Sequence, residues 1–592
     1  MKKVISLFLS VVLLLGTGVC SLADTEKITV NNRFSIVYGD EKTEAIAEKC
    51  SDYIEKITGY VLQVVPESSD PRIVIETDKE TCPNGYIISS DGNNIGITGS
   101  SLQWTVRGVY SFLEKYGGIR VYTSEKITCT ADKIEIPCNL HEEYTPFFEY
   151  TDTDWLSPRD TEYSLFNGLN SAENRNIPPE MGGSVDYISW FGHSLTNQFC
   201  SRDKYYEDHP EYFSLYRGIR TDKQLCLSNP DVLEIVKQEV FDLLKEKHDP
   251  EADLQIVSLT QHDNIFFCSC DKCRATDKKY KSHAGSLLEF VNAVARDVKS
   301  AGYDNVAIDT FAYQYTRKPP VGIVPEDNVI IRLCSFECCF SHPLDSETCS
   351  VNKSFMDDFE GWSRICNRIY VWDYCTDFCN YTGIFPNFGV LQKNIQTFAE
   401  HNVKGVYEEG NYSMKAEGEF GELRSYMISR LLKDPYCDIS AVRNEFIADY
   451  YGDGGKYIAD FIDIITENAP VKHLGIYQPM TDVLSLSPSQ VEECDRLWEN
   501  AKQATEGDCH RHVLGSEISW RWWKMKNHRS EFLSPVAYSS EKENLMNDIS
   551  SAGIDRLNEM GDTRAFLCYL YEILMFRLTP LAKAVFALLY AV

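Results

Sequence analysis

Short apolar segments alternate with longer helical stretches between residues 147 and 408, and this alternation is the strongest constraint on the fold. Eight segments have the length and composition of buried strands: Phe147–Thr151, Val185–Trp190, Gln224–Leu227, Gln255–Thr260, Val306–Tyr313, Val329–Phe336, Arg368–Asp373 and Gly405–Glu408. Helical patterns such as Pro230–Lys247 and Ala284–Ser300 separate several of them. Strands that alternate with helices form parallel sheets. Eight such units over this length predict an α/β fold with a (β/α)8 TIM barrel.

The regions on either side of the barrel predict different architectures. Residues 24–140 show the order β-α-β-β-β-α, which is typical of a small sheet covered by helices. After residue 415 the strand patterns stop, and helical patterns run from Leu423–Leu432 to Arg564–Leu578. We therefore expect a small α/β domain over 24–140, a barrel over 141–415 and a helical C-terminal region over 416–592.

The N-terminal residues have the pattern of an export signal. A basic start precedes the apolar stretch Val4–Leu15, which is too short to span a bilayer. Small residues up to Ala23 suit signal cleavage, so residues 1–23 are predicted to be a signal peptide of an exported, secreted or cell-surface protein. Lipid attachment at Cys20 is the alternative, but Val19 fits a lipobox poorly.

The charge balance excludes one class of partner. The chain has 58 Lys and Arg against 88 Asp and Glu, a net charge of −30, which repels nucleic-acid phosphates. Aromatic residues make up 12% and suit either core packing or stacking on sugar rings. No phosphate-binding loop, dinucleotide motif or serine nucleophile elbow is present, so we expect no cofactor. Nothing in the sequence implies a stable protein partner.

Acidic residues follow several of the predicted barrel strands. Catalysis in such barrels occurs at the C-terminal ends of the strands, which selects Asp263, Glu337 and Glu408 as catalytic candidates. Paired carboxylates are the groups that glycoside hydrolysis requires. Glu408 is predicted to point into the barrel mouth, and its neighbour Glu409 away from it.

The acidic candidates also have structural interpretations. An Asp after a strand is commonly a turn or helix-cap residue, which applies to Asp263. Glu337 lies in an apolar segment, where a buried carboxylate must be either paired or functional.

Polar and aromatic side chains at the same strand ends are predicted to bind substrate. Tyr313 and Tyr315 are expected to share one strand face, which could line a sugar subsite or pack in the core. The full predicted set is His193, His262, Asn264, Tyr313, Tyr315, Trp372, Asp373 and Asn411.

Three cysteines follow the fourth predicted strand in the spacing Cys268-x-Cys270-x-x-Cys273. Three close thiols could hold zinc if a fourth ligand came from elsewhere, or two of them could form a loop disulfide. No second cysteine pair at matching spacing is evident, so the sequence predicts no metal site. Other cysteines, such as Cys334 and Cys366, lie in apolar runs and are expected to be buried thiols.

The segment Ser258–Asn264, followed by the three-cysteine motif, resembles a bacterial domain family first catalogued as being of unknown function and now placed in glycoside hydrolase family 163. The similarity covers most of residues 145–435. Further matching pieces are His209–Phe213, Gln224–Pro230, Phe311–Tyr315, Cys338–Leu344, Trp372–Tyr374, Gly405–Glu408 and Glu422–Tyr426.

This resemblance implies a retaining β-N-acetylglucosaminidase, with endo action on N-glycans as one form, whose partner is an oligosaccharide or glycoprotein glycan. The N-terminal domain is similar to the accessory domain of hexosaminidases and α-glucuronidases. The resemblance implies that Asp263 matches the acid after strand four, and that Glu337, Asp373 and Glu408 match later carboxylates. His262-Asp263 stands where substrate-assisted enzymes have Asp-Glu. An α-glucuronidase-like hydrolase and a non-catalytic glycan-binding protein remain alternatives.

Overall fold

The computed structural model describes residues 26–171, 177–412, 415–469, 473–528 and 535–559. The predicted signal peptide (1–23), Cys20 and the predicted helix Arg564–Leu578 lie outside these residues. Within the described ranges, no helix is both long enough and apolar enough to cross a membrane.

The N-terminal part is a sheet covered by two helices. Its main sheet has the order β10-β5-β6-β4-β2-β3, and α1 and α2 pack against it and against each other. Because β10 belongs to this sheet, the domain continues a few residues past 140. The elements are β1 (Lys27–Thr29), β2 (Ser35–Tyr38), α1 (Glu44–Thr58), β3 (Gln63–Val65), β4 (Arg72–Thr77), β5 (Tyr86–Ser90), β6 (Ile95–Gly99), α2 (Leu102–Gly117), β7 (Ile119–Val121), β8 (Ile127–Cys129), β9 (Glu135–Pro137) and β10 (His141–Tyr144).

The central part is a curled parallel sheet with helices between its strands. Seven strands pair in the order β11-β19-β18-β17-β16-β15-β12. The elements are β11 (Tyr150–Thr153), α3 (Thr161–Asn167), β12 (Asp186–Tyr187), α4 (Arg202–Tyr205), β13 (Phe213–Tyr216), β14 (Ile219–Leu225), α5 (Pro230–Lys247), β15 (Gln255–Ser258), α6 (Asp271–Tyr280), α7 (Ala284–Ser300), β16 (Val306–Ala312), β17 (Val329–Cys334), α8 (Ser350–Ser363), β18 (Ile369–Tyr374), α9 (Leu391–Glu400) and β19 (Gly405–Glu409).

The two edge strands of this sheet approach each other through Ser171. The Ser171 N–H donates to the Thr151 carbonyl at 3.2 Å, and Ser171 forms a parallel bridge with Val185. Since Thr151 lies in β11 and Val185 immediately precedes β12, the sheet curls until its edges nearly meet.

One predicted strand is wrong. Gln224–Leu227 was expected to be the third barrel strand, but Gln224 and Leu225 end β14, which pairs antiparallel with β13 in a hairpin outside the sheet. The preceding run Arg220–Lys223 is polar and half-buried, which suits a two-stranded ribbon but not a barrel strand buried on both faces.

The inside of the curled sheet is a layered core. Above its apolar layer lies an ion pair between Arg332 and Asp309, with Nε and Oδ2 2.7 Å apart and both side chains buried. The Arg332 guanidinium lies 4.3 Å from the Phe191 ring centroid and 5.2 Å from that of Trp372. The apolar layer consists of Tyr150, Val185, Leu254, Ile256, Ala307, Ile330, Tyr370 and Tyr407.

Six helices form the described C-terminal region. They are α10 (Gly421–Lys433), α11 (Ile439–Tyr451), α12 (Gly455–Glu467), α13 (Pro488–Gln503), α14 (Gly507–Asn527) and α15 (Pro535–Ser551). Trp520 and Trp523 of α14 are buried and stack with centroids 5.1 Å apart, which indicates core packing.

The N-terminal domain is bound to α10 through a buried acid. Glu114 of α2 pairs with Arg430, and its Oε2 lies 2.6 Å from the Lys433 ammonium. Burial alone would raise the pKa of Glu114, but the two cations outweigh burial and hold that pKa at about 2. The domain is therefore an integral part of the folded chain.

Candidate functional site

The register of β19 determines which acidic side chain reaches the mouth of the curled sheet. Tyr407 lies in the inner apolar layer, and side chains alternate along a strand, so Glu409 faces the same inner side. The Trp372 indole N–H donates to Glu409 Oε2 at 2.6 Å. Glu409 is 5% exposed. This orientation is opposite to the predicted one, in which Glu408 faced the mouth.

Glu408 and Asp373 lie on the outer side of the sheet, against the helices. They are register partners on β19 and β18, and their neighbours Val406 and Val371 belong to the outer core. Burial raises the pKa of Asp373 to about 6. Burial, and then the charge of Asp373, raises the pKa of Glu408 well above its usual range. Two residues predicted for catalysis and substrate binding thus form a buried acid pair that faces away from the mouth.

Asp263 lies at the rim of the mouth, beyond the end of β15. Its Oδ1 accepts a hydrogen bond from the Tyr313 hydroxyl at 2.8 Å and from the Gln314 side-chain amide at 3.2 Å. The side chain is exposed to solvent, so the structure brings together Asp263 and Tyr313 at a reachable position.

Two histidines lie beside Asp263. His193 Nδ1 is 2.8 Å from the Gln261 carbonyl, and the rings of His193 and His262 are 5.9 Å apart. Burial lowers the pKa of His262. The Asp263 N–H donates to His262 Nδ1 at 2.7 Å, which requires a neutral ring that carries its proton on Nε2.

Asn264 anchors the loop to the β13–β14 hairpin. Its Oδ1 accepts from the Gln224 amide at 3.1 Å, and its Nδ2 donates to the Lys223 carbonyl at 3.2 Å. Gln224 also donates to the His262 carbonyl at 2.6 Å. Both ends of the Asn264 amide are used within the protein, so the residue positions the loop.

The C-terminal region supplies a third carboxylate. The Tyr477 hydroxyl donates to Glu559 Oε2 at 2.6 Å. Burial raises the pKa of Glu559, and the charge of Asp263 raises it further. The pKa of Tyr477 is raised first by burial and then by the charges of Glu559, Glu409 and Asp263. Glu559 is thus hydrogen-bonded to Tyr477, and the charges of Glu409 and Asp263 also act on that phenol. Sequence analysis missed Tyr477 and Glu559, because no motif links positions so far from the barrel.

Aromatic rings wall the space between these acids. Phe336 lies 5.5 Å from Tyr313, 5.9 Å from Tyr374 and 6.0 Å from Tyr477, measured between ring centroids. Tyr374 follows Trp372 by two positions on β18 and therefore faces the same inner side. Aromatic faces at a polar mouth suit packing against sugar rings.

Tyr313 and Tyr315 were predicted to share one strand face, but the structure separates them. The strand ends at Ala312, and Tyr315 lies in a short helical turn where it packs against Phe267 and His283. Asn411 is buried just beyond the end of β19.

Glu337 lies at the rim, in an exposed position. The prediction placed it in an apolar setting, but its Oε2 lies 3.0 Å from the Arg317 guanidinium in an open groove of about 600 Å³. Arg317 also binds Asp358 at 2.8 Å. Gln314 lines this groove and also donates to Asp263, so the groove continues from the mouth.

Two clusters in the described residues have the donor types of metal sites. The first joins Cys226 to Cys268, Cys270 and Cys273, which supplies the fourth ligand that the sequence did not reveal. The second contains Cys339, His342, Cys349 and His473. The prediction of no metal site rested on the lack of a second cysteine pair at matching spacing, whereas the fold supplies the fourth thiol from Cys226 alone.

A protein-family model described as "Domain of unknown function (DUF4838)" matches residues 121–463, more than half of the 592-residue chain. No curated protein matches the chain.

Several solved structures are similar at low identity. A family 89 glycoside hydrolase from Clostridium perfringens, in complex with PUGNAc, matches with a TM-score of 0.46 and 10% identity over 86% of this chain and 65% of that one. A GH20 exo β-N-acetylglucosaminidase from Vibrio harveyi matches with a TM-score of 0.40 and 9% identity over 71% and 74%. A GH138 enzyme targeting pectin rhamnogalacturonan II matches with a TM-score of 0.40 and 9% identity over 87% and 92%.

Proposed function

The chain belongs to the DUF4838 family, and from its site we propose that it is a glycoside hydrolase. The observation that carries the proposal is that three carboxylates, Asp263, Glu409 and Glu559, each bind an aromatic side chain of one mouth, through Tyr313, Trp372 and Tyr477 respectively. Glycosidic cleavage requires one carboxylic acid to protonate the leaving oxygen and another carboxylate to act at the anomeric carbon. A site with several acids in different environments meets that need.

Glu559 is the proposed proton donor. A general acid must hold its proton near the working pH, and burial raises the pKa of Glu559 in that direction. Asp263, which accepts two hydrogen bonds at the rim, is the proposed group that orients the substrate or stabilises positive charge.

Glu409 is the proposed carboxylate at the anomeric carbon. In the sheet order, β19 lies four positions from β15, so in a curled sheet Glu409 faces Asp263 from the opposite side. We include in the proposal a complete eight-position barrel, with Ser171 in the place of the second strand.

The proposed substrate is a glycan that contains β-linked N-acetylglucosamine, cleaved with retention. The motif resemblance to glycoside hydrolase family 163 supports this choice. The groove that runs from Gln314 to Glu337 extends the mouth, which favours a chain of several sugars and hence endo action on N-glycans. Export through residues 1–23 belongs to the same proposal.

A panel of chromogenic glycosides and a digest of an N-glycosylated protein test the function. We expect β-N-acetylglucosaminide cleavage or release of whole glycans, with the β-anomer as the first product. Release of glycan without monosaccharide would support endo action. Hydrolysis of α-glucuronides alone would replace the proposed substrate, and glycan binding without turnover would refute the enzyme assignment.

A further inference from the structure

Four cysteine thiols meet beside the β13–β14 hairpin, and we propose that they bind a structural zinc ion. The Sγ atoms of Cys226, Cys268, Cys270 and Cys273 all lie within 4.8 Å of one another. Cys226 Sγ is 3.7 Å from Cys270 Sγ and 4.0 Å from Cys273 Sγ. Tetrahedral zinc with Zn–S bonds of about 2.3 Å separates its sulfur ligands by about 3.8 Å. A disulfide needs about 2.05 Å, so the spacing fits a metal.

Backbone groups support the four sulfur ligands. The Leu215 N–H lies 3.4 Å from Cys268 Sγ, and the Cys273 N–H lies 3.5 Å from Cys270 Sγ. Such donors orient metal-bound thiolates and stabilise their charge. Three of the thiols are buried and Cys270 is half-buried. Four sulfur ligands in a closed site leave no position for water, which is typical of structural zinc.

This zinc site would join the hairpin to the loop that carries Asp263. Cys226 follows β14, whereas the other three cysteines belong to the chain that leaves β15 and enters α6. The Ser269 N–H donates to the Leu215 carbonyl at 2.7 Å, which ties the same two segments. The metal would therefore position Asp263 from a distance, without touching substrate.

Zinc content of the purified full chain tests the site. We expect Cys226→Ser to contain one zinc fewer per chain than the wild type. Cys200→Ser is the matched control, because Cys200 is also buried in this part of the fold but lies outside the cluster. Equal zinc content in the wild type and Cys226→Ser would overturn the proposal. Mass spectrometry that showed a disulfide among these four cysteines, by the loss of two hydrogens, would also overturn it.

If Cys226→Ser does not fold, a second measurement can be made on a protein that keeps all four cysteines of the cluster. Cobalt added to the metal-stripped His342→Ala protein, which retains the four-cysteine cluster, should give the intense sulfur-to-cobalt charge-transfer bands of four thiolates. Chelation of the zinc-loaded His342→Ala protein should make the four thiols of this cluster reactive. Absence of the bands, or no gain in reactive thiols, would refute the site.

A separate cluster points to a second zinc site of two cysteines and two histidines. Cys339 Sγ lies 3.1 Å from His342 Nδ1, and Cys349 Sγ lies 3.4 Å from His473 Nδ1. The Leu474 N–H lies 3.3 Å from Cys339 Sγ, in the position of a donor to a bound thiolate. Two thiolates and two imidazoles at these separations match a closed tetrahedral zinc site.

The second site would attach the C-terminal region to the loop after β17. His473 precedes Tyr477 by four residues, so a metal there would hold the segment that binds Glu559. We expect His342→Ala to contain one zinc fewer than the wild type. His401→Ala should retain the wild-type content, because His401 is half-buried but outside the cluster. Unchanged zinc in His342→Ala would refute this second site.

Discussion

Glu408 and Glu409 are adjacent in β19, yet their carboxylates lie on opposite sides of the sheet. Glu409 faces the mouth and accepts the Trp372 N–H. Glu408 faces the helices and shares its buried environment with Asp373. Replacing each of the two residues by Gln therefore makes the same chemical change on opposite sides of one strand, so one variant is the control for the other.

We expect Glu409→Gln to lower kcat by at least about a hundredfold, because the amide cannot supply charge or act as a nucleophile. Glu408→Gln should keep kcat within a few-fold of wild type. Steady-state kinetics on a chromogenic glycoside measure both variants. The reverse pattern would show that Glu408 reaches the substrate.

The leaving group of the substrate separates the roles of Glu559 and Asp263. With an activated leaving group, Glu559→Gln should keep most of its activity, whereas Asp263→Asn should lose activity on good and poor leaving groups alike.

The Asp373–Glu408 pair makes stability depend on pH. Both pKa values are raised in the folded state, so the folded chain binds more protons than the unfolded chain above about pH 4. The stability that comes from protonating these two acids is therefore fully present below about pH 4. The part that belongs to Asp373 is lost as the pH rises through about 6. Glu408→Gln should therefore stabilise the protein by about 1–3 kcal/mol at pH 7.5, and by less at pH 5. Melting temperatures at both pH values test this, and equal shifts would contradict it.

At the scale of elements, the β13–β14 hairpin lies outside the parallel sheet and holds the loop after β15. Gln224 reaches across from β14, accepts the His262 N–H at 3.1 Å and donates to the His262 carbonyl at 2.6 Å. Asp263 is the next residue along the chain. The hairpin thus acts on the site through the backbone of its neighbour.

We expect Gln224→Ala to lower kcat about tenfold on substrates with good and poor leaving groups alike, since small displacements of a reacting group slow catalysis severely. Gln238→Ala is the control, because Gln238 forms its hydrogen bond on the exposed face of α5. Kinetics and melting temperature should be measured together. A lower melting temperature with unchanged kcat would show that the hairpin stabilises the fold without positioning Asp263.

The whole molecule brings the mouth together from distant parts of the chain. Asp263 lies beyond the end of β15 and Glu409 ends β19 of the same sheet, but Tyr477 and Glu559 come from the helical region. A site with these three acids therefore needs both the curled sheet and the helical region.

We expect Tyr477→Phe to move the alkaline limb of the kcat–pH profile upward by about 0.5–1 unit. The Tyr477 hydroxyl stabilises the ionised form of Glu559 and so lowers its pKa. Without that hydrogen bond, worth about 1 kcal/mol, the proton donor stays protonated to higher pH. A downward shift, or a uniform loss of activity at every pH, would contradict the role of Glu559.

Helices whose apolar residues recur with a clear helical period were predicted correctly from the sequence. Pro230–Lys247 and Ala284–Ser300 have the predicted bounds. Gln224–Leu227 was assigned to the barrel because a short apolar run cannot by itself distinguish a hairpin strand from a buried parallel one.

The candidate site was predicted less well, for physical reasons that differ between residues. Asp263 and Tyr313 were found because they lie in the segments that leave the C-terminal ends of two parallel strands, β15 and β16. The orientation of Glu409 was not predicted correctly, because both faces of β19 are buried and its sequence shows no alternation of polar and apolar residues. The position of Glu559 in the site depends on a contact between segments far apart in the sequence, and the periodicity of a sequence does not reveal such contacts.

The buried bond between Glu114 and α10 affects how a fragment of this chain should be cut. The family match begins at residue 121, within a few residues of the end of α2, and an expression fragment that started there would omit Glu114. Arg430 and Lys433 would then be left with their principal counter-ion removed. Removal of one partner from a buried ion pair destabilises a protein by about 3–5 kcal/mol. A soluble, active fragment should therefore begin near residue 26, with the first sheet retained.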